Sequence, residues 1–220
     1  MSKSTAYPFI VKDCALAAIA IGQRAQNLKE LRDQLISIHP GAIFYHFWGG
    51  LLRPRFDDPE FVNDFAIWAR HALHDLRLAE RLAIIDPAAH GDIEALRQEV
   101  IEVIEERMDE GGYEGWARQD QQFHFIRGQT VVFDSAIRIT EPRRLKDIVP
   151  RLPVGSVYYH FVDARRRVQL GKDDFRSWIE QMDGYSELCE RLAAVDPYFT
   201  NLVRLRAELG RVFAGFFGDA

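Results

Sequence analysis

The chain has 220 residues, and its 47% hydrophobic and 28% charged content predicts a soluble globular protein rather than a disordered one. A formal net charge of −5 gives no electrostatic reason to expect nucleic acid or an anionic membrane as a partner. The uncharged apolar run from Cys14 to Ile21 is too short to cross a bilayer and does not have the layout of a signal peptide, so we expect a cytoplasmic protein. Cys14 and Cys189 are the two cysteines and are expected to be small buried side chains.

The chain opens with strand-like sequence. Phe9 to Val11 predicts a short strand, and a turn is expected at Lys12-Asp13. The alanine-rich residues Ala15 to Ile21 then fit either a second strand or a helix. Asn27 is expected to cap the next helix, with Glu30 completing a capping box.

More helices are expected along the rest of the first half. We assign the Tyr45-His46-Phe47 step to a helix, although its short apolar pattern also fits a strand. Asp58-Pro59-Glu60 has the composition of a helix start. A final helix is predicted from the apolar residues between Ile93 and Ile104.

The second half begins in the same way. Phe123 to Ile126 predicts a strand, Arg127-Gly128-Gln129 a turn, and Phe133 to Ile139 alternates like a half-buried strand, which together predict a β-hairpin. Helices follow, with Ser156 expected to cap the one that carries Tyr-His-Phe and Thr200 the last one.

The order of elements recurs because the sequence itself recurs. Trp68 to Pro87 aligns without gaps onto Trp178 to Pro197, and the ten residues that end at each Asp-Pro step are identical at seven positions. Upstream, Gly41 to Phe47 matches Gly155 to Phe161. Internal similarity of this kind indicates a repeated structural unit.

These blocks predict a tandem duplication of one α+β, helix-dominated module. Each copy is expected to have a short β-hairpin followed by several helices, with the two copies in a pseudo-twofold arrangement. Copy 1 is assigned to residues 1–108, a Gly-containing acidic linker to 109–122, and copy 2 to 123–220. Gly184 aligns with His74, which indicates a break in the helix at that position.

The helix from Asn63 to Trp68, with the pattern Asn-Asp-Phe-Ala-x-Trp, is preceded by Tyr-His and followed by Leu-Ala and an Asp. This combination resembles a widespread prokaryotic module of unknown function, which occurs alone, duplicated or appended to other domains, some of them carbohydrate-related. The resemblance covers nearly the whole chain, twice, and implies a short strand pair followed by helices. Copy 2 departs from the pattern, with Lys172-Asp173-Asp174 at the Asn-Asp step. The resemblance implies no activity.

His46 and His160 are the leading candidate site residues because both copies retain them, next to Tyr45 and Tyr159. A histidine in this setting can act as a general base or as a ligand-binding donor. The alternative is a core histidine whose ring nitrogens bond to the backbone or to a carboxylate.

Arginines follow each Tyr-His step and suit an anionic or sugar-like ligand. They are Arg165, Arg166 and Arg167 in copy 2, and Arg53 and Arg55 in copy 1. A solvated basic surface is the alternative interpretation.

Other recurring residues are expected to be structural. His71 and His74 have the i, i+3 spacing of weak metal-ligand candidates, but a solvated helix face explains them more simply. Asp64 and Asp174 recur at helix starts. We therefore predict no metal and no cofactor.

The leading hypothesis is a non-catalytic binding or regulatory protein with a protein partner or a small anionic ligand. None of the common nucleotide-binding, hydrolase or redox motifs is present, which argues against an enzyme without excluding one. One alternative is a small enzyme or sensor for an anionic or carbohydrate ligand, centred on His160 and Arg165–Arg167. Another is a dimerisation or scaffold protein, in which Phe213, Phe216 and Phe217 contribute an exposed aromatic face to a homodimer.

Overall fold

The computed structural model describes residues 7–52, 61–111, 115–167, 171–198 and 200–218. It is a helix-dominated α+β fold with one two-stranded antiparallel sheet. The predicted α+β, helix-dominated class is therefore confirmed. In the part of the chain that is described, no helix combines the length and the apolar character needed to cross a membrane.

The chain forms two compact units, and one of them is discontinuous in sequence. Unit 1 consists of Met1–Ala15 and Thr130–Ala220, and unit 2 consists of Leu16–Gln129. Strands β1 (Phe9–Ala25) and β2 (Phe123–Ile139) therefore each contribute residues to both units. The boundaries at 108 and 123 that the repeat suggests stay a prediction.

Each strand is a single element of 17 residues, so the predicted hairpins are wrong. The chain runs extended through Lys12-Asp13 and through Arg127-Gly128-Gln129, because β1 and β2 pair with each other and neither needs a local partner. Gly128 is needed for steric reasons and not to form a turn, because a Cβ there would lie 3.1 Å from Cδ2 of Tyr45.

Both strands have a backbone irregularity at the same position, thirteen residues after the first. Gly22 in β1 has φ +77° and Ala136 in β2 has φ +61°. The amide of Ala136 donates to Oδ1 of Asp134 at 2.8 Å, and the hydroxyl of Ser135 donates to the carbonyl of Val11 at 2.6 Å. These bonds hold an alanine in a conformation that costs an L-residue roughly 1–2 kcal/mol.

Unit 2 contains five α-helices among its described residues. They are α1 (Leu28–Ser37), α2 (Pro40–Trp48), α3 (Asp64–His71), α4 (Leu76–Ala83) and α5 (Ile93–Asp109). The predicted cap of α1 is confirmed, since Asn27 accepts the amide of Glu30 at 2.8 Å. The glutamate reaches back one residue further than expected, to the amide of Gln26. The proposed helix start at 58–60 lies outside the described residues.

Unit 1 has six α-helices in its described part. They are α6 (Leu145–Ile148), α7 (Val154–Val157), α8 (Ala164–Arg167), α9 (Asp174–Ile179), α10 (Ser186–Ala193) and α11 (Leu202–Phe217). A π-helical segment, Tyr158–Asp163, joins α7 to α8. Two predicted caps are wrong: Ser156 is buried inside α7, which starts after Pro153, and Asn201 rather than Thr200 caps α11.

Candidate functional site

In unit 2, His46 on α2 connects a helix to a strand. Its Nδ1 lies 2.9 Å from Oδ2 of Asp64 at the start of α3, and its Nε2 accepts the backbone N–H of Ile126 in β2 at 3.1 Å. Because Nε2 accepts a hydrogen bond, it carries no hydrogen of its own, and the ring is the neutral tautomer whose Nδ1–H donates to the carboxylate.

A tryptophan holds the same strand segment at its other end. The indole Nε1–H of Trp68 donates to the carbonyl of Gln121 at 2.8 Å. Between the two contacts, the ring of Phe123 lies 4.7 Å from the ring of His46 and 5.6 Å from that of Trp68. We call His46, Asp64 and Trp68 the unit 2 clamp.

Unit 1 contains an equivalent clamp of His160, Asp174 and Trp178. Nδ1 of His160 lies 2.8 Å from Oδ2 of Asp174, and Nε2 accepts the backbone N–H of Lys12 in β1 at 2.8 Å. The indole of Trp178 donates to the carbonyl of Tyr7 at 2.8 Å. In both units the segment held is a strand from the phenylalanine onward; in unit 2 it is preceded by a 3-10 helix that ends at Gln121.

Phe9 occupies the position in unit 1 that Phe123 occupies in unit 2. Its ring is stacked on Phe175 at 5.2 Å and tilted against His160 at 4.8 Å. In both clamps the tryptophan binds the carbonyl two residues before the phenylalanine, and the histidine binds the amide three residues after it.

The two histidines are therefore placed inside their units. His46 and His160 are each 2% exposed, and both nitrogens of each ring are engaged within the protein. In this conformation neither ring has a nitrogen left to act as a base or to bind a ligand. The neighbouring Tyr45 and Tyr159 are also buried. A ligand-binding role for these four residues stays a prediction.

Arg166 and Arg167 are bound to carboxylates of the same unit. Nε of Arg167 is 2.7 Å from Oδ2 of Asp163, its NH2 is 3.1 Å from Oδ2 of Asp174, and its guanidinium lies 3.9 Å over the ring of Tyr159. Arg166 donates to Oδ1 of Asp163 at 2.8 Å. These contacts tie α8 to the π-helical segment and to α9.

Arg165 also has partners inside unit 1. It donates to the carbonyl of Val195 at 3.0 Å, and its guanidinium lies 4.5 Å over the ring of Phe161. Arg53 and Arg55 lie outside the described residues. An anion-binding role for any of these five arginines stays a prediction.

The geometry of His71 and His74 does not match a helical metal pair. Helix α3 ends at His71, and His74 has φ +57°, so the two side chains are not one turn apart on a continuous helix. Gly184, which aligns with His74, has φ +90°, so the predicted break is found in both units. No group of three or more potential metal-ligating side chains occurs in the residues that the structure describes.

Asp173 is a buried carboxyl group with a raised pKa that was not among the predicted site residues. Its equivalent in unit 2 is Asn63, which accepts the amide of Ala66 at 2.9 Å and donates to the carbonyl of Leu82 at 2.8 Å. Asp173 accepts the amide of Arg176 at 2.8 Å in the same way, but burial raises the pKa of its carboxyl to about 6. In the sequence, the signal for this group was the replacement of the asparagine of the Asn-Asp step by Asp173.

The two cysteines are buried free thiols, as predicted. Sγ of Cys14 donates to the carbonyl of Gly155 at 3.3 Å, and burial raises the pKa of this thiol to about 12. Neither cysteine is therefore a candidate nucleophile.

The exposed apolar surface of unit 1 was also missed. The alternation from Phe133 to Ile139 predicts one buried face, yet only Ile139 on that face is buried. Val131, Phe133 and Ile137 are 42%, 51% and 38% exposed, and we call these three residues the apolar stripe. Beside Ile137 is a cavity of about 270 Å³, and its other lining residues are Arg144, Asp147, Ile148, Arg151, Leu152 and Pro153.

Comparison with known proteins gives a family and a structural relative. A family model described as "Family of unknown function (DUF5752)" matches residues 6–214. The structure of OrfY from Thermoproteus tenax is similar with a TM-score of 0.84 and 29% sequence identity, over 96% of this chain and 97% of that one. No curated protein matches.

Proposed function

We propose that this chain, which belongs to the DUF5752 family of unknown function, is a non-catalytic binding protein. The docking surface that we propose lies on unit 1. The observation that carries this proposal is the apolar stripe on β2 together with the adjoining cavity. Large apolar side chains exposed along one strand, next to a cavity, are a feature that an interaction site would explain.

The charges around the cavity indicate the chemistry of the partner. Arg144 and Arg151 are exposed and have no ion pair among the described residues, and Asp147 is the one acid that lines the cavity. Over Met1–Ala15 and Thr130–Ala220 the sequence holds 16 Lys+Arg and 14 Asp+Glu, a formal charge of +2. The partner we propose is a protein segment with an apolar anchor side chain flanked by carboxylates.

A second copy of the chain fits this surface less well. A closed twofold contact through the apolar stripe would place the same unpaired arginines of two copies near each other, and like charges at an interface are costly. A homodimer is therefore the competing outcome of the test.

The experiment is a selection of random 12-residue peptides, displayed on phage, against the immobilised full chain. We expect enrichment of sequences that combine acidic and large apolar residues, and at least a tenfold loss of their binding to a Phe133→Ser/Arg144→Glu/Arg151→Glu variant. A matched control, Ile84→Ser/Arg118→Glu, changes an isoleucine that is 78% exposed and an exposed arginine in unit 2, and should keep the binding.

Several results would contradict the proposal. Peptides that bind the triple variant as well as the original chain would place the docking surface elsewhere. A dimer in light scattering that the triple variant dissociates would identify a second copy as the occupant. Turnover in a broad hydrolase and transferase screen that survives these surface changes would overturn the non-catalytic assignment.

The π-helical segment favours a second candidate, a sensor for an anionic or carbohydrate ligand at His160 and Arg165–Arg167. Segments of this rare geometry are frequent at functional sites. Tyr158–Asp163 carries His160 and ends at the carboxylate that holds Arg166 and Arg167. Inorganic phosphate and glucose 6-phosphate would then raise the melting temperature, and Arg166→Gln would abolish the shift; no shift at millimolar ligand rejects this candidate.

The aromatic face proposed for a scaffold role is largely covered. Phe213 is fully buried in unit 1, and Phe216 and Phe217 are half-buried against Tyr185, with ring centroids 6.1 Å apart in both cases. Helix α11 therefore gives little support for dimerisation through this face.

A further inference from the structure

We propose that the unit 1 clamp is a binding site for an extended peptide of one defined class, and that the chain's own segment from Tyr7 to Lys12 is one occupant of it. The class has phenylalanine at the anchor position and an apolar residue two positions later. This inference rests on the two clamps and is independent of the apolar stripe.

The first argument comes from what the two bound segments share. Unit 1 holds Tyr7-Pro8-Phe9-Ile10-Val11-Lys12, and unit 2 holds Gln121-Gln122-Phe123-His124-Phe125-Ile126. Phenylalanine at the anchor and a buried apolar residue two positions later are common to both. The other positions differ in size, polarity and charge, so the clamp tolerates sequence changes there.

The second argument is that the clamp forms its hydrogen bonds with main-chain atoms of the segment. A tryptophan N–H meets a backbone carbonyl and a histidine nitrogen meets a backbone N–H, at 2.8 Å each in unit 1. Asp174 fixes the tautomer that makes His160 an acceptor. Main-chain bonds combined with alternate side-chain pockets are a recurring mode of extended-peptide recognition.

The third argument concerns chain connectivity. In unit 1 the bound segment precedes the clamp, and Lys12 lies 148 residues before His160. In unit 2 the bound segment follows the clamp, and Ile126 lies 80 residues after His46. The same hydrogen bonds form with either order, so the geometry does not depend on whether the segment precedes or follows the clamp in the chain.

The experiment opens the unit 1 clamp in the full chain and offers the segment as a separate peptide. Phe9→Ala removes the anchor, and a fluorescein-labelled peptide with the sequence of residues 6–13 is titrated by fluorescence anisotropy. We expect saturable binding to the variant and little binding to the original chain, whose site is occupied. Replacing the phenylalanine of the peptide by alanine should weaken binding about 100-fold.

Two matched variants locate the binding. Adding Trp178→Phe to Phe9→Ala removes one indole N–H and keeps an aromatic ring, which should weaken the peptide by about 5- to 10-fold. Adding Trp68→Phe makes the same change in the unit 2 clamp and should leave the affinity unaltered. A labelled peptide with the sequence of residues 120–127 should also bind, because it carries the same anchor and apolar residue.

Two outcomes would contradict the proposal. No saturable binding to a Phe9→Ala chain that keeps its native circular dichroism would overturn the proposal. Equal effects of Trp178→Phe and Trp68→Phe would show that the peptide binds elsewhere. If Phe9→Ala does not fold, Phe9→Leu weakens the anchor more gently and the same contrasts apply.

Discussion

The backbone N–H of Lys12 donates to Nε2 of His160 at 2.8 Å, across 148 residues of sequence. The bond is possible because Asp174 lies on the other nitrogen of the ring, 2.8 Å away. A residue that looked like a candidate base is thus the hydrogen-bond acceptor that docks a strand, and its chemistry as an acceptor is what the fold uses.

His160→Ala should lower the free energy of unfolding by about 2–3 kcal/mol, since it removes a packed ring and leaves a strand amide without its acceptor. His46→Ala should behave in the same way. Urea denaturation measures the loss, and hydrogen exchange should show faster exchange at Lys12 or Ile126 respectively. The control is His124→Ala, an exposed histidine in β2, which should change stability by no more than about 0.5 kcal/mol.

Asp173→Asn should stabilise the protein at neutral pH. The pKa of Asp173 is raised by burial to about 6, so the folded state binds more protons than the unfolded state between about pH 4 and pH 6. The aspartate therefore lowers stability as the pH rises through this window. The variant should gain about 2–3 kcal/mol at pH 7 and almost nothing at pH 3.5.

The reverse change in unit 2 provides the check. Asn63→Asp should destabilise the protein at pH 7, because it also removes the amide that donates to the carbonyl of Leu82. Urea melts of both variants across pH 3.5–8 measure these effects. A pH-independent gain for Asp173→Asn would show that ionisation of Asp173 is not the cause.

Ala136→Gly should stabilise the protein by about 1 kcal/mol, because glycine adopts the φ of +61° without the penalty that alanine pays. Gly22→Ala tests the same position of β1 in the opposite direction. No atom lies within 4 Å of a Cβ built there, so its expected loss of about 1 kcal/mol would be conformational alone. Thermal melts of the two variants should shift in opposite directions.

Gly155→Ala should be severely destabilising, by about 3 kcal/mol or more. A Cβ at this residue would lie 2.3 Å from the carbonyl oxygen of Cys14 and 2.4 Å from Oδ1 of Asp13, and backbone atoms cannot yield as a flexible side chain can. Gly41 aligns with Gly155, but its Cβ would meet Cγ of Arg127 and the ring of His39 at 3.1 Å. Gly41→Ala should therefore cost about 1 kcal/mol or less, and similar losses for the two variants would contradict the steric argument.

The thiols should be inert in the native state. Burial raises the pKa of Cys14 to about 12 and raises that of Cys189, so both are thiols at pH 8. We expect Ellman's reagent to modify neither cysteine within minutes and to modify both once the chain is unfolded in guanidinium. Prompt reaction of Cys14 in the native chain, identified with Cys14→Ala, would contradict its burial.

The predictions from the sequence that proved correct concern features that depend on residues close together in the chain. Asn27 caps its helix, the break at Gly184 is present, and the Tyr-His steps are helical, because capping, left-handed backbone and helical periodicity all act within a few residues. The hairpins failed for the opposite reason. Whether the chain turns at Gly128 or runs on depends on a pairing partner more than one hundred residues away, which local composition does not encode.

Contacts between residues distant in the chain also limited what could be predicted about the candidate site. His46 and His160 recur in the two similar halves of the sequence, and a core histidine bonded to a carboxylate was one of the interpretations left open. That their ring nitrogens meet the amides of Ile126 and Lys12 could not be read from the sequence, because both contacts join segments that are distant along the chain.

The discontinuity of unit 1 has a consequence for biosynthesis. Residues Leu16–Gln129 form one unbroken stretch, so unit 2 can complete itself on the ribosome while the rest of the chain is still being translated. Phe9 is translated early, yet the rings of Phe175 and Trp178 that pack against it are translated more than 160 residues later. Until then the side chain of Phe9 lacks these two aromatic partners, so ribosome-bound chains that stop before residue 175 should be the ones that recruit chaperones.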